Sequence, residues 1–209
     1  MKRRELLAAL AAGAGIAAPR FALAQGRGGN AVPEAEAFVT NLTQRGISSL
    51  TGRGVGETDR ARRFRQLLTE NFDVPTIARF VVGRYWRVAS EPERQEYMNL
   101  FADMLVGMYS SRFGDYQGEQ VRVTGSRQSQ EGDIFVSSEL ARGQGQPPVR
   151  FEWVLRRDGG SFKIVDIRVE GVSMAVTQRD EFGSIIQRGG GQFSALLQTM
   201  RQRAAQAPR

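Results

Sequence analysis

The sequence predicts an α+β domain, a four-stranded antiparallel meander sheet packed by helices on one face. Three observations predict it. Apolar residues recur at helical spacing from Ala37 to Tyr109, the period changes from 3.6 to 2 between Gly114 and Glu170, and helical spacing returns from Val172 to Met200. The length suits a single domain, and 41% hydrophobic with 24% charged residues excludes wholesale disorder and fibrous repeats.

Residues 1–24 read as a cleaved export signal. Lys2-Arg3-Arg4 gives the basic start, Leu6 to Ala18 the Ala/Leu-rich run, and Ala22-Leu23-Ala24 the A-x-A cleavage site. The run has thirteen residues, whereas a helix crossing a bilayer needs about 20. Arg3-Arg4-Glu5-Leu6-Leu7 also resembles a twin-arginine pattern, although a general secretory signal needs basic residues there too, so both routes stay open. Residues 25–32 form a Gly-rich, flexible mature terminus, 33–203 the folded domain and 204–209 a fraying tail.

Pro33 opens the first helix, in which Ala37, Phe38 and Leu42 keep helical spacing up to Leu50. The run Thr51 to Gly56 has G-x-G-x-G spacing without a following Lys-Ser or Lys-Thr, so it reads as a helix–helix linker and not a phosphate cradle. A second helix spans about Glu57 to Asn71. Its arginines Arg60, Arg62, Arg63 and Arg65 read as a solvated face, with contact to a lipid headgroup or an acidic partner as the sharper alternative. Phe72-Asp73-Val74-Pro75 interrupts the helix, and a short apolar helix runs from Thr76 to Val82. Ser90-Glu91-Pro92-Glu93 is a capping box. The long helix it opens carries Tyr97, Leu100, Phe101, Met104, Leu105, Met108 and Tyr109 as one stripe, either core packed on a sheet or an adaptable wall for flexible hydrocarbon.

Four strands follow, Glu119 to Gln128, Asp133 to Arg142, Val149 to Arg157 and Ser161 to Glu170, with Trp153 facing the same side as Phe151 and Leu155. The turns Gln130-Glu131-Gly132, Gly143 to Pro148 and Asp158-Gly159-Gly160 are short enough for sequential hairpins. Gly171 ends the sheet. A helix is then expected through Val172, Val176, Phe182, Ile185 and Ile186, and a last one from Phe193 to about Gln202.

Composition narrows the chemistry. The chain has no Cys and no His, which excludes disulfides, thiolate or imidazole metal sites and the Ser-His-Asp and Cys-His nucleophiles. A catalyst here would rest on carboxylates such as Asp103, Asp133, Asp166, Asp180 and Glu181, and no spacing pairs them. The formal charge is +7, and losing Lys2, Arg3, Arg4, Arg20 and Glu5 with the signal leaves +4. An exported chain of that modest charge, without a reader motif, is not expected to bind nucleic acid. A structural periplasmic module remains a third possibility beside a binding protein and a carboxylate hydrolase.

Phe72-Asp73 with Ile77-Ala78-Arg79, the run Val82-Gly83-Arg84-Tyr85-Trp86-Arg87, and Val169-Glu170-Gly171-Val172-Ser173-Met174 followed by Arg179, Phe182, Gly189-Gly190 and Leu196-Leu197 stand in a distinctive order. In these segments, and over about residues 33–203, the chain resembles the MlaC family, the periplasmic phospholipid-binding components of Mla (toluene-tolerance type) ABC transport systems. HpnM-type proteins of hopanoid systems share much of the pattern. The resemblance implies an apolar pocket between sheet and helices that holds acyl chains as cargo, with no cofactor and no covalent chemistry. It implies partners in an inner-membrane Mla-type ring with its ABC transporter and in an outer-membrane lipoprotein complex. Candidate lining residues are Phe80, Tyr85, Trp86, Tyr97, Phe101, Met104, Leu105, Met108 and Tyr109, then Val136, Phe151, Trp153 and Val165 on the sheet, then Val172, Met174, Phe182 and Ile185. Arg60, Arg62, Arg63 and Arg65 are the candidates for partner or headgroup contact.

Overall fold

The computed structural model describes residues 31–52, 54–141 and 146–206. The expected export signal, most of the mature terminus, part of the Gly143 to Pro148 turn and the last three residues lie outside the described residues. Among the described residues six helices and five strands follow in order: α1 (Pro33–Leu50), α2 (Glu57–Asn71), α3 (Val74–Val82), α4 (Glu91–Ser110), β1 (Val121–Gln128), β2 (Ile134–Leu140), β3 (Val149–Asp158), β4 (Ser161–Val169), β5 (Val172–Ser173), α5 (Met174–Arg188) and α6 (Phe193–Gln206). Short 3-10 turns, Gly83–Arg87 and Ser111–Asp115, precede and follow α4.

Local chemistry sets the helix starts. Pro33 sits in the first turn of α1 beside Glu34 and Glu36, where a missing N–H costs nothing and negative charge meets the positive helix end. The Asp73 side chain accepts from Thr76 N at 3.1 Å and caps α3. The Ser90 box is complete: Ser90 Oγ accepts from Glu93 N, and Glu93 Oε2 accepts from Ser90 N at 2.8 Å. At α5 two unpaired N–H groups find oxygen, Val176 N on Ser173 Oγ and Ala175 N on Asp166 Oδ1, each at 3.0 Å. Asp166 belongs to β4, so this second bond fixes α5 to the sheet.

The sheet order is β1-β2-β3-β4-β5, every neighbouring pair antiparallel. Four of these strands and their meander order match the sequence reading. The fifth corrects it, because Val172–Ser173 pairs with β4 instead of starting the helix. The cause is the two-residue loop Glu170-Gly171, with φ of 49° and 82°. Positive φ at both central positions gives the tight reversal of a type I′ hairpin. A Glu is uncommon in the first of those positions. Here Arg150 N donates to Glu170 Oε1 at 2.7 Å, and Glu170 N donates to Arg150 O at 2.9 Å, which holds it there. The β3–β4 loop works similarly through Gly159 and Gly160, at φ 52° and 94°.

Two buried clusters result. One joins α1 to the sheet through Val32, Ala35, Val39 and Leu42 against Ile134, Val136, Leu155, Phe162 and Ile164. The other lies among α3, α4, α5 and α6, with Tyr97, Phe101, Phe182 and Phe193 at its centre. The Tyr97 and Phe193 rings meet edge-on at 5.5 Å, and the Phe101 and Phe182 rings at 6.3 Å. Helix α4 therefore packs chiefly on α6 and α2, not on the sheet as one reading of its stripe expected. Its aromatics pack on rings of α5 and α6, while α1 covers the Ile134 and Ile164 end of the sheet.

The arginines of α2 also depart from a simple solvated face. Arg60 Nε donates to Leu50 O at 3.0 Å and Arg63 Nη1 to Ser49 O at 2.9 Å. Both carbonyls belong to the last turn of α1, where no intrahelical donor remains and positive charge is favoured. Arg62 and Arg65 do reach solvent, ion-paired with Asp59 and Asp103.

Candidate functional site

Strand register places an apolar band on one sheet face. Val123, Ser138, Phe151, Val169 and Val172 follow one another across β1 to β5. The adjacent row runs Ser126, Val136, Trp153, Ile167. Side chains two residues apart share a face, so both rows lie on the side that α1 covers at its other end. Under α1 the covering is complete: Ile134, Val136, Leu155 and Ile164 are 0% exposed. Along the band it is not. Val123, Phe151, Trp153, Ile167 and Val169 are half-buried, and Val172 is 59% exposed.

The polar atoms inside the band are paired with each other. Trp153 Nε1 donates to Ser138 Oγ at 2.8 Å, and Ser138 is buried beneath it. The indole N–H and the hydroxyl oxygen thus each have a partner within the band. The opposite face differs in kind. Arg127 and Arg168 both bind Glu152, at 2.7 and 3.1 Å, and their guanidiniums lie 3.9 and 5.0 Å from the Phe135 ring centre. That face closes its one large aromatic under charge, so the apolar opening belongs to the first face alone.

The candidate lining residues fall into several environments. Tyr97, Phe101, Phe182 and Ile185 belong to the closed helical cluster, and Val136 to the cluster under α1. The Tyr97 hydroxyl donates to Ala78 O at 2.9 Å, and burial raises its pKa well above the usual phenol value. Phe151 and Trp153 lie on the half-buried band, with Val172 at its exposed end, while Met174 follows at the start of α5, 37% exposed. Val165 is half-buried at the β4 irregularity, where the register with β3 shifts. Along the α4 stripe Phe101 is 1% exposed, Met104 and Leu105 are half-buried against the helical cluster, and Met108 is 42% exposed, while Val106 and Ser110 beside the stripe stay buried. Tyr109 is half-buried beside Arg112.

Phe80, Tyr85 and Trp86 gather at the end of α3 and the turn after it, with Tyr85 and Trp86 packed on the outside of the helical cluster and the Trp86 ring 6.3 Å from that of Tyr97. Phe80 lies under Arg179, and Trp86 between Arg79 and Arg94. Arg84 donates to Tyr85 Oη at 3.0 Å, a hydrogen bond that lowers the phenol pKa. Val123, Ile167 and Val169 belong to the band but were not among the candidates. Strand alternation was the available signal, but only the pairing register shows that they flank Phe151 and Trp153.

A family model described as MlaC protein matches residues 41–202. The chain belongs to the MlaC family. The intermembrane phospholipid transport system binding protein MlaC of Haemophilus influenzae is 21% identical over 129 residues, 60% of this chain. The chain spans 59% of the length of that relative. The solved structure of a phospholipid-binding protein from Ralstonia solanacearum in complex with a phospholipid matches with a TM-score of 0.72 at 19% identity, covering 84% of this chain and 99% of that one. This likeness shows a common fold. The family resemblance carried by the Phe72-Asp73, Val82 to Arg87 and Val169 to Met174 segments is therefore met, since all three lie inside the matched range.

In this MlaC-family member several carboxylates that a hydrolase would use have other duties. Asp103 pairs with Arg65, Asp133 with Arg156 and Glu181 with Arg203, while Asp166 caps α5. Among the described residues no group of three or more Asp and Glu is placed to hold a metal ion, and no helix is long and apolar enough to cross a membrane.

Proposed function

We propose that the protein is a periplasmic phospholipid carrier. Acyl chains lie on the band of Val123, Phe151, Trp153, Ile167, Val169 and Val172, with the Met104 to Tyr109 turns of α4 and Met174 completing the wall, and the headgroup stays near solvent. The observation that carries this reading is the band itself: an apolar sheet face, continuous with a sealed core at one end and left open at the other, whose indole and hydroxyl are already paired. Such a surface accepts hydrocarbon without stranding a polar group.

The energetics suit a carrier. Each buried CH₂ contributes about 0.8 kcal/mol, so two chains totalling about 30 methylenes give a gross desolvation on the order of 24 kcal/mol. A loaded chain does not release lipid into water. Transfer from a bilayer moves hydrocarbon between two apolar media, so the net balance is small and partners set direction. Family membership supports an inner-membrane Mla-type ring with its ABC transporter, and an outer-membrane lipoprotein complex, as those partners. No bond is made or broken by this component.

Native mass spectrometry of the purified protein, followed by organic extraction, tests the proposal. Copurifying phospholipid is the expected result. A hopanoid would reassign the cargo, and protein that stays empty when incubated with phospholipid vesicles would sink the carrier reading.

A further inference from the structure

Among the described residues ten arginines are ion-paired, while Arg112, Arg157 and Arg188 are exposed without an ion pair and lie apart from one another in the sequence. Arg65, Arg122, Arg156 and Arg201 each meet a carboxylate within 2.6 to 2.8 Å. Arg79, Arg84, Arg87 and Arg179 are exposed, and no ion pair holds them among the described residues. They converge on one surface. Arg84 and Arg87 line, with Tyr85, Val88, Gln187 and Gly191, a depression of about 560 Å³ between the turn after α3 and the end of α5. The Arg179 guanidinium lies against Gly83, where an added Cβ would come within 3.2 Å of it, and 5.1 Å from the Phe80 ring centre. Arg79 lies 5.5 Å from the Trp86 ring centre.

The same surface is apolar as well as cationic. Val88 is 70% exposed and Phe80 41%, with Tyr85 and Trp86 half-exposed beside them. Along α5, Val176, Arg179, Gly183 and Gln187 recur at steps of three and four and so share one face. Val176 is 45% exposed at the start of that face.

We propose that this face docks on the headgroup layer of an anionic phospholipid bilayer. Guanidiniums that no carboxylate neutralises bind phosphate bidentately. Tyr and Trp rings suit the water–hydrocarbon boundary, and isolated apolar side chains such as Val88 and Phe80 enter the upper acyl region. An acidic protein would satisfy the charge but would leave Val88 without a stated partner. The inference concerns a membrane surface and stands whether or not the sheet band holds cargo.

Vesicle flotation tests it, using the purified protein with phosphatidylcholine vesicles that contain or lack phosphatidylglycerol. Binding is expected only with phosphatidylglycerol, and it is expected to be lost as salt approaches about 1 M, where charges are screened beyond about 3 Å. The triple substitution Arg84→Gln, Arg87→Gln, Arg179→Gln is expected to weaken binding about fivefold per arginine, on the order of a hundredfold in all. A control with Arg122→Gln, Arg156→Gln and Arg201→Gln removes the same charge elsewhere and is expected to bind within a few-fold of the parent. Circular dichroism of both variants confirms that they are folded. Equal loss in the two triples would assign the binding to net charge and overturn the proposal. So would indifference to phosphatidylglycerol, or retention on immobilised polyglutamate with no vesicle binding, which would favour an acidic protein. Cargo is read separately by mass spectrometry, so an empty protein that still floats refutes only the carrier reading.

Discussion

The helical cluster around Phe182 and the sheet band around Phe151 are both rich in aromatic and branched side chains, yet one is sealed and the other is open. Phe182 is 0% exposed and touches the Tyr97 and Phe101 rings at 6.3 Å. Phe151 sits mid-sheet, half-buried, in a row that ends on the exposed Val172. The difference is one of topology, because α1 seals the Ile134, Val136 and Ile164 end of its face and Val123, Trp153 and Ile167 pack against that cluster only in part, while α4 spends its aromatic turns on α5 and α6. Apolar character thus says that a surface seeks cover, and the arrangement of neighbours says whether the chain itself supplies it.

Truncating the two phenylalanines breaks or supports this comparison most directly. Phe182→Ala is expected to destabilise by about 3–5 kcal/mol, a large share of a stability of about 5–15. Phe151→Ala removes a half-covered ring and is expected to cost less than about 2 kcal/mol. Urea unfolding measures both. Equal losses would mean that the band is as closely packed as the core.

Trp153→Phe sharpens the account of the band. It leaves the buried Ser138 hydroxyl without its donor, at a cost of about 1–2 kcal/mol. Replacing Ser138 by Ala in the same background should recover part of that loss. If the double variant is no more stable than Trp153→Phe, the hydrogen bond does not hold the wall.

Tyr97 gives the sealed region a pH signature. Its phenol is buried and its folded pKa lies above the unfolded value of about 10. The neutral form is the one the fold retains, so this contribution is complete below about pH 10 and is lost as pH rises from there toward the raised folded value. Tyr97→Phe is expected to cost about 1 kcal/mol at neutral pH and to flatten the alkaline loss. An unchanged alkaline slope in Tyr97→Phe, measured by urea unfolding across pH 9 to 11 (about one unit either side of 10), would show that the group is not responsible.

Much of this was legible in the chain. The Ser90 box, the helical spacing up to Leu50 and the alternation from Val121 onward are local signals that tertiary structure had no reason to override. The fifth strand was not, since its signal is one Gly after a Glu that Arg150 holds at positive φ from another strand. The roles of Arg60 and Arg63 were hidden for a related reason: a basic residue on a helix looks alike whether it faces water or the carbonyls of the preceding helix. Along α4 the periodic stripe is uniform, and nothing local separates Phe101 from Met108. Family resemblance implied a pocket without placing its walls, whereas register was needed to bring Val123, Ile167 and Val169 beside Trp153.

The smallest expected change in stability comes from charges placed on the open region. Val172 and Met108 are already exposed at 59% and 42%, so Val172→Asp and Met108→Asp should shift unfolding by no more than about 1 kcal/mol, part of it in Met108→Asp from an acid near the negative end of α4. The effect on cargo should be the reverse. A carboxylate against acyl chains must be desolvated or must hold water in the pocket, and either one opposes hydrocarbon at that point. Lipid copurifying with each variant is therefore expected to fall sharply while the urea midpoint barely moves. An unfolded variant would show that these residues support a core the exposure does not reveal. Normal lipid loading in both would place the acyl chains elsewhere, leaving the band as an uncovered sheet face without a ligand.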